Sequence, residues 1–162
     1  MQNDFISGAL GTAEAVAVLL AVTELVKGFG GRLLFTRDTH SEAYLETQEG
    51  RNLPVKHCLQ GTWGWQIADP LLPFVGDVID KPTFGSKELI EILNGEGHID
   101  SITFVGLCTD ICVISNAMVV KAFFPEIPLI VDAKGCAGVT PESHKRALDA
   151  MAVCQIKVVN NV

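Results

Sequence analysis

The sequence predicts an α/β protein, a three-layer sandwich with a central parallel sheet and helices on both faces. Short apolar runs of strand length alternate along the chain with longer segments whose apolar residues have helical spacing. Residues typical of helix starts and ends separate these segments. Alternation of this kind is typical of parallel sheets, because each helix returns the chain to the same edge of the sheet.

The helices are recognised by their ends and the strands by their apolar runs. Thr12, Ser86 and Thr140 suit N-cap positions, Pro141 suits the first position of a helix, and glycine-rich residues 28–31 end the first helix. The predicted helices cover residues 12–27, 87–93, 110–124 and 141–152, with a short one near 41–45. The predicted strands cover residues 32–36, 77–80, 101–107, 128–132 and 155–159. Residues 1–11 and most of 37–64 are predicted to be loops, and a loop as long as the second is usually functional.

Composition limits the protein class. The chain has 162 residues, which suits one domain spanning 1–162, and its formal net charge of −7 comes without a basic stripe, which argues against nucleic acid as a partner. No apolar run reaches membrane-spanning length, so no membrane partner is expected. The five cysteines are an odd number without paired spacing, so we expect free thiols and a cytoplasmic location.

Polar residues follow the predicted strands at their carboxyl ends. In a parallel sheet these ends share one edge, so the side chains can converge on one crevice. The residues are Asp38, His40, Lys81, Thr109, Asp110, Cys112 and Asp132.

Cys112 is the strongest candidate nucleophile. It follows an apolar strand and Gly106, which permits a sharp exit, and it lies in the first turn of the next predicted helix, where Thr109 or Asp110 would be the N-cap. Unpaired N–H groups and the helix dipole favour a thiolate there, and the thiolate is the reactive form. The alternative is a buried core cysteine.

A second constellation has metal-ligand character. Asp38 and His40 are two residues apart at a strand end, which places both side chains on one face of an extended chain, and His57 follows later. One carboxylate and two imidazoles with open positions suit Zn²⁺, with Fe²⁺ or Mn²⁺ as alternatives. The alternative interpretation is a turn-capping aspartate and two loop histidines.

Four blocks in order make the sequence resemble the isochorismatase-like cysteine hydrolases, and within them the nicotinamidase branch. The blocks are Met1-Gln2-Asn3-Asp4-Phe5, Thr36-Arg37-Asp38-Thr39-His40, Asp80-Lys81-Pro82-Thr83-Phe84-Gly85-Ser86 and residues 106–113, so the resemblance covers nearly the whole chain. It implies a Rossmann-like hydrolase fold and hydrolysis of a small amide, most simply nicotinamide, to the acid and ammonia through a thioester. Homodimers or larger homo-oligomers are common in this superfamily.

The resemblance also implies roles for individual residues. Cys112 would be the nucleophile and Lys81 the lysine of the catalytic triad. The bond between Leu107 and Cys108 would be a cis peptide, with the N–H groups of Cys108 and Cys112 forming an oxyanion hole. Asp38, His40 and His57 would hold the metal, which orients the substrate, and Glu49 would be an additional ligand. Phe5 would contact the substrate ring, with Leu107 and Trp63 also at the substrate.

The chain departs from the family pattern in two places. The triad aspartate, with the central strand that carries it, would come immediately before Met1, so we expect a domain lacking that strand; Asp4 is interpreted as a structural residue that accepts from loop N–H groups. The family often has a tryptophan three residues before the second metal histidine, where this chain has Pro54.

These departures leave alternatives open. One is a cysteine hydrolase of linear ureido or carbamoyl amides, and another is a non-catalytic relative that binds a metabolite. An isochorismatase is disfavoured, because its vinyl-ether cleavage needs no cysteine nucleophile. His98 and His144 are predicted to be surface histidines away from the site.

Overall fold

The computed structural model describes residues 1–161 and confirms the predicted α/β class. The strands are β1 (Leu34–Asp38), β2 (Asp77–Lys81), β3 (Ile102–Leu107), β4 (Leu129–Ala137) and β5 (Lys157–Val159). The α-helices are α1 (Asn3–Ile6), α2 (Ala13–Gly28), α3 (Gln48–Asn52), α4 (Lys87–Gly95), α5 (Ile114–Phe123) and α6 (Pro141–Val153). Short 3₁₀ turns cover Glu42–Glu46 and Asp69–Phe74, and a π-helical turn covers Thr109–Val113.

The strands form two parallel sheets. β1 pairs with β2, and the second sheet has the order β3-β4-β5. Gln2 contacts the first sheet, because its side-chain amide donates to the carbonyl of Asp38 and accepts from the N–H of Asp38, both at 2.7 Å. Within each sheet the parallel direction places the carboxyl ends of the strands at one edge. The sequence predicts a single central sheet, whereas the described strands form two.

Helices cover both faces of the sheets. One apolar core joins Ile79, Val131 and Leu148 to residues of α4 and α5, and the other joins Val22 of α2 to Leu71 and Leu107. These two cores are the contacts between the layers of the sandwich. Among residues 1–161, no helix is both long enough and apolar enough to cross a membrane.

Several boundaries differ from the sequence prediction. The expected loop at residues 1–11 contains the one-turn helix α1, and β1 ends at Asp38 rather than at residue 36. β4 continues to Ala137 instead of ending at Asp132, because an irregular register between Phe104 and Gly106 lets β3 and β4 pair further. Gly106 has φ +118°, a conformation that few other residues adopt, so it permits this irregularity.

Candidate active site

The pairing of β1 with β2 brings two charged residues together. The register places Asp38 opposite Lys81 at the last position of each strand. Both side chains are buried, and the Lys81 ammonium donates to Oδ1 of Asp38. One residue earlier, Arg37 pairs with Asp80 through Nε at 2.6 Å, so two ion pairs bridge the same strand ends. A buried charge needs such a partner because leaving water is costly for it.

The turn after β3 places Cys112 against this pair. Cys112 is buried, and its Sγ lies 3.4 Å from Nζ of Lys81 and 3.8–3.9 Å from the two carboxylate oxygens of Asp38. The turn is π-helical with Cys108 in the N-cap position, and the Cys108 side chain makes no capping hydrogen bond, so the predicted N-caps Thr109 and Asp110 are wrong. Cys112 nevertheless lies in the first turn after the strand, as the sequence predicts.

Burial determines the protonation of the nucleophile. Burial and the nearby Asp38 carboxylate raise the pKa of Cys112 to about 11, while the Lys81 ammonium opposes that rise. Burial alone would lower the pKa of Lys81, but Cys112 and Asp38 favour its charged form and raise the pKa overall. The resting pair is therefore a thiol beside a charged ammonium, not the thiolate that the helix terminus by itself predicts.

Leu107 and Cys108 join β3 to the turn that carries Cys112. The peptide bond between Leu107 and Cys108 is cis, as the resemblance implies. The Leu107 side chain is buried in the apolar core on the α2 face. Cys108 is partly exposed, and burial raises its thiol pKa to about 12.

A parallel β-bridge connects the segments that carry the two histidines. The backbone N–H of His40 donates to the carbonyl of Cys58, and the N–H of Gln60 donates to the carbonyl of His40. The segment after His57 therefore runs parallel to the segment after β1. Potential ligand atoms of Asp38, His40 and His57 all lie within 4.8 Å of one another, and all three residues are buried. The three residues that the sequence singles out for a metal thus meet at one point.

The donor set fits a divalent ion. Nε2 of His40 is buried, and no atom of residues 1–161 forms a hydrogen bond with it, which is costly for a polar atom unless something binds it. His57 Nδ1 lies 2.8 Å from the carbonyl of Val55, and donation there would leave Nε2 as the free ligand atom. Oε1 of Glu49 lies 3.7 Å from Nε2 of His40 and 3.8 Å from Nε2 of His57, so Glu49 lies beside both imidazoles.

Aromatic rings surround the histidines. Tyr44 is almost completely buried, and its ring centre lies 4.8 Å from that of His40 and 4.9 Å from that of His57. Its hydroxyl donates to the carbonyl of Leu53 at 3.0 Å. Phe5 meets the His57 ring edge-on at 5.6 Å. Phe5 therefore lies beside the metal constellation, where the resemblance expects a substrate contact.

The two tryptophans have different environments. The Trp65 ring lies against the Arg37 guanidinium at 3.4 Å, and its indole N–H donates to Thr39 at 2.8 Å. Trp63 is 58 % exposed, and its carbonyl accepts from Asn3. Trp65 is thus a structural residue beside β1, and Trp63 is the tryptophan whose ring is available at the surface.

Asp4 has the structural role that the sequence predicts. Its carboxylate accepts from the N–H of Cys58 at 2.6 Å and from the N–H of Ala9 at 3.1 Å. Gly64 permits this approach, because a Cβ there would lie 2.1–2.3 Å from the Asp4 carboxylate atoms. Asp4 thereby anchors the segment that carries His57.

Sequence reasoning missed two supporting residues. Asn116 donates to the carbonyls of Phe84 and Cys112 and accepts from the N–H of Ser86, so it ties the nucleophile's turn to the segment after Lys81. Its signal is an amide one helical turn after Cys112 on an apolar helix. Gln2, which pairs with the backbone of Asp38, carries no signal beyond its place in the first block.

The prediction for His144 is wrong. His144 is partly buried, and its Nδ1 lies 2.7 Å from Oγ1 of Thr109 in the nucleophile's turn. His98 is exposed beside Asp100, as predicted. Asp132 accepts from Asn160 and from the N–H of Lys134, so it supports β4 and β5.

Comparison with known proteins extends these observations. A Bacillus subtilis (strain 168) isochorismatase family protein, PncA, is 28 % identical over 167 residues, covering 93 % of this chain and 89 % of the relative. The structure of a Pyrococcus horikoshii pyrazinamidase in complex with zinc is 28 % identical with a TM-score of 0.82, covering 98 % of this chain and 94 % of that one. A Streptococcus mutans UA159 pyrazinamidase/nicotinamidase shares the fold, with a TM-score of 0.85 at 23 % identity over 98 % of this chain and 95 % of that one.

The family assignment rests on nearly the full length of the chain. The family model described as the Isochorismatase domain matches residues 1–161, which include the Cys112 turn, Lys81 and the Asp38, His40 and His57 cluster. The chain belongs to the isochorismatase family.

Proposed function

We propose that this protein is a nicotinamidase-like amidohydrolase, which hydrolyses nicotinamide to nicotinate and ammonia through a thioester at Cys112. The observation that carries the proposal is the buried contact of the Cys112 thiol with Lys81 and Asp38. The relatives whose names include a pyrazinamidase and PncA support it. A small amide needs a nucleophile, a route for its proton and donors for the oxyanion, and this site offers groups for each.

The proposed reaction has two stages. The Cys112 sulfur bonds to the amide carbon as its proton moves to a carboxylate oxygen of Asp38, because the Lys81 ammonium is already protonated, and the carbonyl becomes an oxyanion. The C–N bond then breaks, and the proton passes from Asp38 to the leaving nitrogen, so ammonia departs and a thioester remains. Water adds to the thioester, the C–S bond breaks, and the acid and the Cys112 thiol are released. Lys81 stabilises negative charge on sulfur at each stage.

Backbone donors would stabilise the oxyanion. We assign this role to the N–H groups of Cys108 and Cys112, which lie at the start of the turn after β3. The first N–H groups of a helical segment have no carbonyl within it to bond, so they can donate to a developing negative charge. Losing one such donor typically slows the reaction by about 10²- to 10³-fold.

Asp38, His40 and His57, with Glu49 beside them, would hold a divalent ion, and we propose Zn²⁺. Bound there, the ion would act as a Lewis acid that orients the substrate through a heteroatom. Phe5 beside His57 and exposed Trp63 would contact the aromatic ring of the substrate. Leu107, the other residue expected at the substrate, is buried in the apolar core on the α2 face. Burial lowers the pKa of His40, which keeps its imidazole neutral and able to bind a metal at neutral pH.

We also propose a cytoplasmic homo-oligomer. All five cysteines are free thiols, which suits a reducing compartment. Val16 and Leu20 expose apolar side chains one turn apart on α2, a surface that a second subunit could cover. Light scattering of the purified protein would measure the subunit number.

The test is ammonia release by the Zn²⁺-loaded protein. We expect nicotinamide to be hydrolysed, Cys112→Ala to abolish hydrolysis, and a chelator to reduce it. Cys154→Ala is the matched control, because Cys154 is exposed, and it should keep normal turnover. A folded, metal-loaded protein that ignores nicotinamide but hydrolyses linear ureido or carbamoyl amides would replace the proposed substrate, and one that hydrolyses none would be a binding protein.

A further inference from the structure

Apart from the contact of Cys112 with Lys81 and Asp38 and from the metal cluster, a side-chain hydrogen bond from α6 reaches the turn that carries Cys112. Thr109, the first residue of this turn, is fully buried, and its hydroxyl lies 2.7 Å from Nδ1 of His144 on α6. Among the residues that the structure describes, this imidazole is the only hydrogen-bond partner of that hydroxyl. A buried hydroxyl with one partner depends on that partner to avoid an unpaired polar group.

The hydrogen bond has a preferred direction. A hydroxyl carries one proton to donate, and a neutral imidazole has one nitrogen that donates and one that accepts. If Nδ1 donated to Thr109, the buried hydroxyl proton would have no acceptor, so the network favours Thr109 donating to Nδ1. Burial lowers the pKa of His144, and the nearby Asp110 opposes this effect. The lowered pKa favours a neutral ring that can accept a hydrogen bond at pH 7.

The backbone of His144 is itself fixed. Its N–H donates to the carbonyl of Thr140 at 2.9 Å, and Thr140 and Ser143 cap the start of α6 reciprocally. Gly138, just after β4, lets the chain pass close to the first turn of α6, because a Cβ there would lie 2.8–2.9 Å from backbone atoms and Cβ of His144. The imidazole therefore projects from a rigid base.

A second bond links the same elements. The Asp110 carboxylate accepts from the N–H of Val139 at 3.2 and 3.3 Å. Thr109 and Asp110 thus both attach to residues 139–144. His144 also lines a cavity of about 340 Å³, together with Glu14 and Val18 of α2. The hydrogen bond to Thr109 is the polar contact between the imidazole and the Cys112 turn.

We propose that His144 is a positioning residue, which acts through Thr109 to hold the turn so that the Cys112 sulfur faces the substrate carbonyl. The consequence for amide hydrolysis rests on the proposed function, but the orientation of the sulfur does not. Small displacements matter, since a misplacement of about 1 Å at a reacting group can cost on the order of 100-fold in rate.

Two variants of similar size test the acceptor. His144→Asn keeps an acceptor atom at the position of Nδ1, and His144→Leu places a methyl group there. The first readout is the rate at which iodoacetamide alkylates Cys112 at pH 8, measured by peptide mass spectrometry. Exposed Cys154 in the same molecule serves as the internal reference. The second readout is kcat and KM for nicotinamide.

We expect His144→Leu to slow Cys112 alkylation and kcat by about tenfold or more, with KM and Cys154 alkylation unchanged. The Cys112 alkylation rate and kcat of His144→Asn should stay within about threefold of those of the unmodified protein. A lost hydrogen bond of about 1.4 kcal/mol would instead change a rate by about tenfold. A Leu variant that matches the unmodified protein in both readouts would overturn the proposal, as would Asn and Leu variants that lose reactivity equally.

Thr109 provides an independent pair of variants. Thr109→Ser keeps the hydroxyl and Thr109→Val replaces it with a methyl group, so only the second should slow Cys112 alkylation. Combining Thr109→Val with His144→Leu should cost no more than either change alone, because both remove one bond. Additive losses would overturn the proposal. If the unmodified protein fails to hydrolyse nicotinamide, the Cys112 alkylation rates still test the role of His144. If His144→Leu does not fold, the two Thr109 variants test that role.

Discussion

Lys81 Nζ lies 3.4 Å from the Cys112 sulfur, and the same ammonium forms a buried ion pair with Asp38. One cation therefore serves two acidic groups from different parts of the chain. The ammonium is the ion-pair partner of Asp38, and it also lies where it would stabilise the sulfur once the thiol loses its proton. This arrangement links stability and reactivity, because the group that compensates the buried carboxylate also stabilises the nucleophile.

Lys81→Met tests that link. Methionine fills a similar volume without charge, so Asp38 would be left buried and unpaired. We expect the free energy of unfolding to fall by about 3–5 kcal/mol, as for other broken buried pairs, and turnover to fall by about 10²-fold or more. Urea unfolding and ammonia release measure the two effects. Lys145→Met, in an exposed pair with Asp149, should change stability by less than about 1 kcal/mol, and equal losses in the two variants would contradict this account.

The thiol of Cys112 should react as a weak acid in the metal-free protein. Because burial raises its pKa to about 11, alkylation should accelerate about tenfold per pH unit from pH 7 and level off near 11. Lys81→Met removes the cation that lowers this pKa, so the variant should react more slowly at each pH. A rate that is already constant at pH 7 would mean that Cys112 rests as a thiolate.

Removal of a metal ligand should be visible without any activity measurement. At a zinc concentration 100 times the dissociation constant, binding should add about 2.7 kcal/mol to the free energy of unfolding. His57→Ala should lose most of that gain, whereas His98→Ala, at an exposed position, should keep it. Thermal melts with and without zinc and chelator measure this difference. If His98→Ala and His57→Ala respond to zinc identically, the ion binds elsewhere.

Tyr44 should support the metal through its ring. Tyr44→Phe keeps the ring against His40 and His57 and loses only the bond to Leu53, whereas Tyr44→Leu removes the ring contacts as well. Outer-shell changes typically cost about 10- to 100-fold in metal affinity, so we expect that loss for Tyr44→Leu and a smaller one for Tyr44→Phe. Competition with a chromophoric chelator measures the dissociation constants, and equal values in both variants would rule out a role for the ring.

The tryptophans should separate stability from substrate binding. Trp65→Leu removes the stacking on Arg37 and the bond to Thr39, and we expect a loss of about 1–2 kcal/mol in unfolding free energy, the sum of one cation–π contact and one hydrogen bond. Trp63→Leu at the exposed position should leave stability within about 0.5 kcal/mol and raise KM for nicotinamide. Unchanged KM in Trp63→Leu would remove Trp63 from the proposed substrate contacts.

Much of the site was predictable because its residues lie at strand ends. Asp38 and Lys81 each end a strand, so their parallel pairing places them side by side, and Cys112 lies in the turn after another strand. Because β3 belongs to the other sheet, the contact of Cys112 with this pair depends on how the two sheets pack. The placement of Asp38 and His40 on the same face likewise comes from local chain geometry, because the two residues are two apart in an extended segment. The cis bond before Cys108 was expected from the resemblance and is present.

Other features depended on the path of the chain between distant residues. His144 was predicted to lie on the surface because its helix follows a different strand, yet the close passage of Gly138 brings it onto Thr109. Tyr44 gave no signal within an irregular segment, and its burial between two imidazoles depends on how that segment folds back toward Leu53.

The sequence by itself determined the α/β class, the order of the elements and the identity of the chemical groups, because periodicity, caps and strand ends are local properties of the chain. Only the tertiary structure decided which groups touch: Lys81 with Asp38 and Cys112, Tyr44 with the rings of His40 and His57, and His144 with Thr109. The physical reason is that contacts between distant residues depend on strand register and loop path, while burial, which raises the pKa of Cys112, depends on the packing of the whole chain.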